Sequence, residues 1–289
     1  MKFWPIALLA IFFSCKKSAD PRDSNYEFDD SIYQKGEVIA KIKDKRVVEA
    51  SGLEYSLKNP GHLWTHNDSQ GQPSLYLLDT MGQVKMTVYL DGAANYDWED
   101  ITSDGEHLYI AEIGDNRAER DGIKILMLEE PSMTEGDSIA TKNWLEMDLT
   151  YENGARDAET LMYDYQTDEL VIVSKRDEKC FIYSFPFVAG QSSSIEPQGQ
   201  LDLKMFTAGD INESGEMLLK NYDAIFYWSS SESSVVERFI SGPDCRIPYE
   251  IEPQGEAITF APDKSFYTLS EFNKHSDQQL YVYRRISSD

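Results

Sequence analysis

Apolar residues recur along this chain in short runs rich in aromatic and β-branched side chains, such as LVIVS (170–174) and LYVY (280–283). Turn-forming residues separate the runs, for example NPG (59–61) and SDG (103–105). This composition between turn residues is typical of β-strands. No segment shows a convincing 3.6-residue period, so the pattern predicts an all-β domain.

The runs repeat, and each set opens with a small or acidic residue at the start of a strand. The equivalent positions are Ser51, Glu99, Glu159, Gly209 and Glu256, separated by 48, 60, 50 and 47 residues. Such a period fits a four-stranded unit and predicts a β-propeller of about five blades. A β-sandwich, or a six-bladed ring with one degenerate blade, is the rival architecture.

The last predicted blade contains only three strands before the chain ends. The segment EVIAKIKDK (37–45) lies just upstream of the first blade and has the composition of a strand. Pairing it with the last blade would close the ring and remove the open sheet edges.

The N-terminus predicts export. Lys2 precedes an apolar stretch over residues 3–13, which is too short to span about 30 Å of hydrocarbon as a helix. The following Ser14-Cys15 resembles a bacterial lipobox, so we expect a lipoprotein signal peptide over 1–14 and a lipidated Cys15. An ordinary signal peptide with an incidental Cys is the alternative.

The polar segment 15–36 is then a flexible tether and 37–289 the propeller domain. These features predict a protein of the cell envelope, attached to a membrane through Cys15, on the periplasmic side or at the cell surface.

The net charge of the chain limits the classes of partner that it can bind. It has 289 residues, with 27 Lys and Arg against 51 Asp and Glu, and a formal net charge of −24. Nucleic acid is a poor partner for such a surface, because backbone binding needs clustered cations. The acidity fits a soluble, self-repelling monomer or a protein that binds cations. Cys180 and Cys245 can pair or stay buried and free, and neither lies in metal-ligand spacing.

In an antiparallel blade the start of the innermost strand and the end of the second strand lie on the same face. Glu99, Glu159 and Glu256 would therefore face one narrow channel, where they repel each other unless protonated or bridged by a cation. Carboxylate oxygens suit Ca²⁺, with Ser51 and Asp210 completing the set. The alternative is that these carboxylates bond to backbone groups and line a wet channel.

The same face gathers the remaining candidates, for two kinds of function. A hydrolase of phosphate esters or anhydrides would use cations for phosphate charge and a carboxylate or imidazole base. Its candidate catalytic residues are His66, Asp68, Glu112, Asp115, Lys175 and Arg176. A non-catalytic module would bind a glycan or protein by ring stacking and hydrogen bonds. The candidate ligand-binding residues are Asn67, Trp98, Asn116, Lys220, Tyr222 and Glu271.

The series Ser51, Glu99, Glu159 and Glu256 resembles the axial ring of the calcium-activated nucleotidases, or apyrases. That resemblance implies a five-bladed propeller with a central Ca²⁺ and does not extend to the nucleotidase activity. The chain departs from the pattern of that family in blade four, where the equivalent position is Gly209 or Asp210.

A further resemblance is to a family of uncharacterised bacterial propeller proteins. It rests on the phrases LWTHNDS (63–69), DWEDI (97–101), LYIAEIGDN (108–116) and DAETL (157–161), which name no activity. SGL (51–53) and EAI (256–258) also resemble the esterase-like phytase propellers.

Overall fold

The predicted repeat is a ring of five sheets. The computed structural model describes residues 20–69 and 71–287, so the predicted signal peptide and Cys15 lie outside the described residues. Each sheet contains an antiparallel blade of four strands, and two of the sheets carry a fifth strand. The five-bladed β-propeller is therefore confirmed, and the sandwich and six-bladed alternatives are wrong.

In each blade the three inner strands run outward from the axis in chain order. Blade one contains β2 (Ala50–Tyr55), β3 (His62–Asn67), β4 (Ser74–Asp79) and β5 (Val84–Leu90). Blade two contains β6 (Trp98–Ser103), β7 (His107–Glu112), β8 (Ile123–Glu129) and β10 (Trp144–Tyr151). Blade three contains β11 (Ala158–Asp164), β12 (Glu169–Ser174), β13 (Cys180–Phe185) and β15 (Gly199–Leu201). Blade four contains β16 (Ala208–Ile211), β17 (Met217–Lys220), β18 (Ile225–Trp228) and β19 (Cys245–Ile247). Blade five contains β20 (Gly255–Phe260), β21 (Phe266–Ser270), β22 (Gln279–Tyr283) and β1 (Glu37–Lys41).

The ring closes as expected. The first strand, β1, pairs antiparallel with β22, with Glu37 opposite Val282 and Lys41 opposite Gln279. The innermost strands β2, β6, β11, β16 and β20 each contact the inner strands of both neighbouring blades. One chain end thus completes the blade that the other end leaves short, which removes an open edge.

Two extra strands join neighbouring blades. Strand β9 (Ser138–Thr141) follows β8 of blade two but pairs in parallel with β5 of blade one. Strand β14 (Ser192–Ile195) follows β13 of blade three and pairs in parallel with β10 of blade two. The outer edges of the first two blades are covered in this way.

The core lies between the blades, where five clusters of buried side chains each join two adjacent sheets. The cluster between blades one and two contains Trp64 and Trp98, both with no exposed surface. Cys180 and Cys245 are buried in such clusters and both are free thiols, so they do not pair. The core is thus divided among interfaces, and each blade depends on its neighbours for burial.

One short helix departs from the purely β expectation. Helix α1 (Val235–Ser241) begins at Ser234, whose side chain accepts from the amide of Glu237 while the Glu237 carboxylate accepts from the Ser234 amide. This capping box and the packing of Phe239 against Trp228 hold a helix too short to give a clear period. None of the helices in the described residues is long and apolar enough to cross a membrane.

The segment before β1 packs against the propeller, which differs from the flexible tether predicted for 15–36. Pro21–Asn25 forms a 3₁₀ turn, and buried Asp23 accepts a bond from the Asn221 side chain at 3.0 Å. Tyr33 is fully buried between blades four and five. The polar composition of this segment does not predict the docking, because only a few aromatic side chains, such as Tyr26 and Tyr33, pack against the core.

Replacing Tyr33 by Ala should lower the free energy of unfolding by about 3–5 kcal/mol, because it removes a large buried ring. The ring packs edge-on against Phe266 with centroids 4.8 Å apart, and the Arg285 guanidinium lies 5.0 Å from its centre. Urea denaturation measures the change. Tyr33→Phe is the matched control, because the buried hydroxyl has no hydrogen-bond partner among the described residues. Equal stability of the Ala and Phe variants would contradict the docking of this segment.

Candidate functional site

Three glutamates reach the axis because the inner strand of their blade is bulged. In blade two Trp98 pairs with Glu112 and Asp100 pairs with Ala111, so Glu99 is left without a partner. The same skip occurs at Glu159 and at Glu256. A bulge leaves its extra residue unpaired and re-aims its side chain. The equivalence predicted for these three residues therefore has a backbone cause.

Blade four lacks this bulge, which explains the missing axial acid. Ala208–Ile211 pairs without interruption with Met217–Lys220. Asp210, predicted as a cation ligand, accepts 2.7 Å bonds from the backbone amides of Ile211 and Phe260. Its oxygens therefore bond to the backbone, including that of blade five, and Asp210 does not join the other predicted metal ligands.

A second set of side chains follows the second strand of blades one, three and five, whose inner strands are all bulged. The amides of Asp68, Lys175 and Glu271 each donate to the carbonyl of the residue that precedes the inner strand. This shared bond places the three residues at equivalent positions beside the bulges. The pairing of the inner strand with the second strand thus places the carboxylates of Asp68 and Glu271 and the ammonium of Lys175 at the same end of the channel.

The acids at this end form what we term the axial carboxylate cluster: Asp68, Asp97, Glu99, Asp157 and Glu159. Oxygens of Asp68, Asp97 and Glu99 lie within 4.8 Å of one another, and so do those of Glu99, Asp157 and Glu159. Glu99 belongs to both groups and joins them into one site.

Gly114 makes the close approach possible. A Cβ atom at this position would lie 2.0 Å from Glu99 Oε1 and 2.5 Å from Asp97 Oδ2. Any larger residue would displace both carboxylates, so the glycine of the IGDN segment (113–116) is a requirement of the cluster.

Burial and mutual repulsion make the cluster hold protons. Burial raises the pKa of Asp68 to about 8, and neighbouring carboxylates, with Asp97 first among them, add to the rise. Burial likewise raises the pKa of Glu159 to about 7, although Lys175 opposes the shift. The pKa of Glu99 lies well above its usual range for the same two reasons, burial and the Glu159 charge. Without a cation, the cluster retains protons near neutral pH.

Lys175 divides the predicted ring of three glutamates. Its ammonium pairs with Glu159 and lies 3.2 Å from the Tyr222 hydroxyl. That hydroxyl donates to Glu256 at 2.5 Å. Glu256 also lies beside Glu271. Burial and the Glu256 charge raise the pKa of Glu271 to about 10. Glu256 is therefore not brought into the cluster with Glu99 and Glu159.

Other candidates near the cluster are held by structural bonds. The Ser51 hydroxyl donates to the Glu99 carbonyl at 2.6 Å. Lys220 is fully buried, bonds to the Gly255 carbonyl and lies 4.9 Å from the centre of the Tyr249 ring. The Asn67 amide bonds to the backbone of residues 46, 48 and 49. These bonds fix the three side chains in the wall of the channel.

Glu112 and Asp115 hold a loop. Glu112 accepts from the amides of Tyr96 and Asp97 and pairs with Arg120 at 2.8 Å. Asp115 accepts from the amides of Glu119 and Arg120. These bonds fix the segment that carries Asp97, so both residues support the cluster from outside.

Arg176 and Asn116 lie exposed at the edge of the cluster. The Arg176 guanidinium bonds to Asp157 and to the Asn116 side chain. An exposed cation and an exposed amide beside buried carboxylates can bind an anionic group at the mouth of the channel.

His66 and Trp98 do not face the mouth. Both are fully buried, and their rings meet edge-on with centroids 5.7 Å apart. Burial lowers the pKa of His66 to about 4, so it is neutral at pH 7 and does not titrate there as expected. The exposed rings at this end are Tyr96 and Phe272, with exposed fractions of 70% and 53%.

Two cluster members, Asp97 and Asp157, were outside the candidate set. Each stands two residues before an axial glutamate, in the repeated pattern Asp-x-Glu at 97–99 and 157–159. Blade five has Gln254 at the matching position, and blade one has Glu49. The repeat of Asp-x-Glu in two consecutive blades was the signal available in the sequence.

Comparison with known proteins supports the fold alone. No family model matches the chain, and no curated protein matches it in sequence. Glutaminyl cyclase from Myxococcus xanthus superposes with a TM-score of 0.51 and 12% identity, covering 90% of this chain and 100% of that chain. A luciferin-regenerating enzyme gives a TM-score of 0.46 at 12% identity, with 86% and 94% covered. A gluconolactonase from Xanthomonas campestris gives 0.42 at 11%, with 83% and 87% covered.

These neighbours are β-propeller enzymes. The fold is shared. At 11–12% identity nothing about substrate or cofactor transfers to this chain. The resemblances to apyrases and to phytase-like propellers stay at the level of the sequence motifs.

The buried neutral His66 predicts a specific response to acid. Its pKa is about 4 in the folded protein against an ordinary value of 6.5, so the unfolded chain binds the proton first. This contribution to stability is complete above pH 6.5 and is lost as pH falls toward 4. In His66→Gln the free energy of unfolding should fall less steeply over that interval than in the wild type, measured by urea denaturation. An NMR titration that places the His66 pKa near 6.5 would contradict this result.

Proposed function

We propose that this protein is a calcium-dependent hydrolase of phosphate esters or phosphoanhydrides, with the axial carboxylate cluster as its centre. The observation that carries the proposal is the sharing of Glu99 between two groups of three carboxylates with oxygens within 4.8 Å. Buried carboxylates at such distances need a proton or a cation between them.

The donor set favours a hard cation. Carboxylate oxygens are the ligands of Ca²⁺, which takes six to eight of them. Asp68 Oδ1 is buried and has no hydrogen-bond partner among the described residues, so a ligand atom is free there. The cluster identified in the described residues contains neither thiolate nor imidazole, the ligands that Zn²⁺ prefers.

The charge of the site makes activity depend on the cation. The cluster presents five carboxylates, and Lys175 is committed to Glu159. A phosphate group would be repelled from such a site until a bound cation offsets the charge. When bound, Ca²⁺ supplies a Lewis acid that polarises phosphate oxygens and lowers the pKa of water.

The side chains of this protein have separate roles in the proposal. Arg176 and Asn116, exposed beside Asp157, bind the anionic oxygens of the substrate. With a bound cation offsetting the repulsion that raises its pKa, Asp68 would be ionised and would take the proton of the attacking water. Lys175 lowers the repulsion between the acids and orients the Tyr222 hydroxyl.

A binding role without turnover is the second candidate, and the two exposed rings favour it. Tyr96 and Phe272 flank the mouth and offer faces for stacking on a glycan or an aromatic side chain. Trp98, named for this role from the sequence, is fully buried and does not contribute a ring face. Such a module would share the same calcium site.

Calcium should bind and stabilise the folded protein. At 100 times the dissociation constant, binding adds about 2.7 kcal/mol, which corresponds to about 5–10 °C in the melting temperature for a domain of this size. Asp97→Asn and Glu99→Gln should weaken binding by about two orders of magnitude, measured by calorimetry.

Two variants that each lose one negative charge test whether calcium binds at the axial carboxylate cluster. Glu119→Gln changes an exposed acid outside the cluster and should leave the affinity unchanged. Glu256→Gln should change it by less than about threefold, because this residue bonds to Tyr222 and lies outside the cluster. An equal loss in Glu256→Gln and Glu99→Gln would instead favour the ring of three glutamates expected from the sequence.

Turnover should require the same ion. With about 1 mM Ca²⁺, near the range of extracellular calcium modules, the protein should release phosphate from a nucleoside diphosphate, phytate or p-nitrophenyl phosphate. A chelator should abolish release, and Glu99→Gln should lower kcat by about 100-fold or more. Arg176→Ala should mainly raise KM, because Arg176 holds the substrate. Calcium binding with no release from any of these substrates would support the binding role.

A further inference from the structure

A second cavity opens at the opposite end of the channel. The inner strands begin at the axial carboxylate cluster and end at Tyr55, Ile211 and Phe260, which line this cavity. Its volume is about 200 Å³. We term it the basal cavity. Because an apolar cavity of about 150 Å³ binds benzene, this space suits a ligand of about one ring.

Glu54 lies in the wall of the basal cavity without a partner. Glu54 is 7% exposed, and no donor among the described residues bonds to its carboxyl group. Nearby Glu130 is also buried but accepts bonds from the side chains of Ser56 and Trp64. Neither Glu54 oxygen is both enclosed and unbonded, so the carboxyl is open to the cavity, where a ligand can reach it.

The other polar groups of the cavity cannot neutralise Glu54. Asp210 lines the cavity, but its oxygens accept backbone amides of Ile211 and Phe260. Lys264, the cation among the lining residues, pairs with Glu216 at 2.9 Å. Among the described residues the cavity therefore offers one buried carboxyl without a donor, that of Glu54, while Glu213 is exposed at the opening and Lys264 is already paired.

We propose that the basal cavity binds a small organic ammonium ion, whose nitrogen pairs with the Glu54 carboxylate. The aromatic residues Tyr55, Tyr165 and Phe260 form part of the wall and receive the carbon frame of the ligand, beside polar residues such as Asn212 and Ser214. Aromatic walls with one acidic group are a recurring environment for organic cations.

The electrostatics favour this class of ligand. Burial, together with the charges of Asp210 and Glu130, raises the pKa of Glu54 well above its usual range. An anionic ligand would add to this repulsion, whereas an ammonium ion offsets it. A divalent metal is disfavoured because Ca²⁺ needs several converging oxygens, whereas the oxygens of Asp210 accept backbone amides and Glu213 is exposed at the opening.

Benzylamine, benzyl alcohol and benzoate test the proposal, since they share one ring and differ in charge. Benzylamine should bind with a dissociation constant of about 1 mM or below, as expected for a ligand of this size. Benzyl alcohol should bind at least about 10-fold more weakly, and benzoate should not bind. The methyl signals of Leu57 and Ile211, which line the cavity, should shift in NMR spectra of the wild-type protein.

Glu54→Gln should weaken benzylamine binding at least about 10-fold while keeping the fold, because it replaces a buried carboxyl by its neutral isostere. Glu213→Gln is the matched control, since this acid lines the cavity but is exposed at its opening. Its effect should stay below about threefold. The wild-type comparison of benzylamine with benzyl alcohol decides the matter even where Glu54→Gln does not fold.

Three results would overturn the proposal. These are equal affinity for benzylamine and benzyl alcohol, equal affinity of Glu54→Gln and wild type, or shifts confined to the axial end. The test is separate from the calcium proposal because it uses no metal and a different end of the channel.

Discussion

Repulsion among buried carboxylates at the axis is the constraint on which the chemistry of this propeller depends. Glu99 and Glu159 are each under 7% exposed and share a site with three aspartates. Lys175 pairs with Glu159 and Arg176 pairs with Asp157, so among the described residues Asp68, Asp97 and Glu99 are left without a paired cation. Protons relieve the repulsion but remove the charges, whereas a divalent cation relieves it and keeps every oxygen as a ligand. The proposed cation would use the carboxylate oxygens that these two ion pairs leave free.

The asymmetry of the ring follows from the backbone. Five equivalent inner strands would give five equivalent axial side chains, but bulges with glutamate occur in blades two, three and five. Blade four pairs regularly and ends its second strand with Lys220, which bonds to the Gly255 carbonyl of blade five. The acids therefore gather toward blades one to three, and the Lys175–Tyr222–Glu256 chain spans the other side. A repeat fold thus produces two chemically different halves around one axis.

Sequence reasoning reached the blades because each blade is a local unit, and the short last blade pointed to closure by 37–45. It reached the axial glutamates because they recur once per repeat. It missed Asp97, since the contact with Glu99 depends on the bulge and on the space left by Gly114. It placed His66 at the rim, although alternation along β3 directs that ring against Trp98 in the core. Face and register are set by pairing, which composition does not encode.

The buried acids of this protein divide into two kinds according to the donors that the backbone offers them. Asp100 accepts amides of Ile101 and Leu161, and Asp210 accepts those of Ile211 and Phe260, so each joins its blade to the next. Asp68 Oδ1 has no such donor among the described residues, and neither has the Glu54 carboxyl. Burying a carboxyl without a donor lowers stability, and a ligand that supplies the missing partner removes that cost. The two proposed sites meet this condition in different ways. Several acids converge at the bulged end, where we propose a metal, whereas at the other end Glu54 lies beside aromatic residues, where we propose an organic cation.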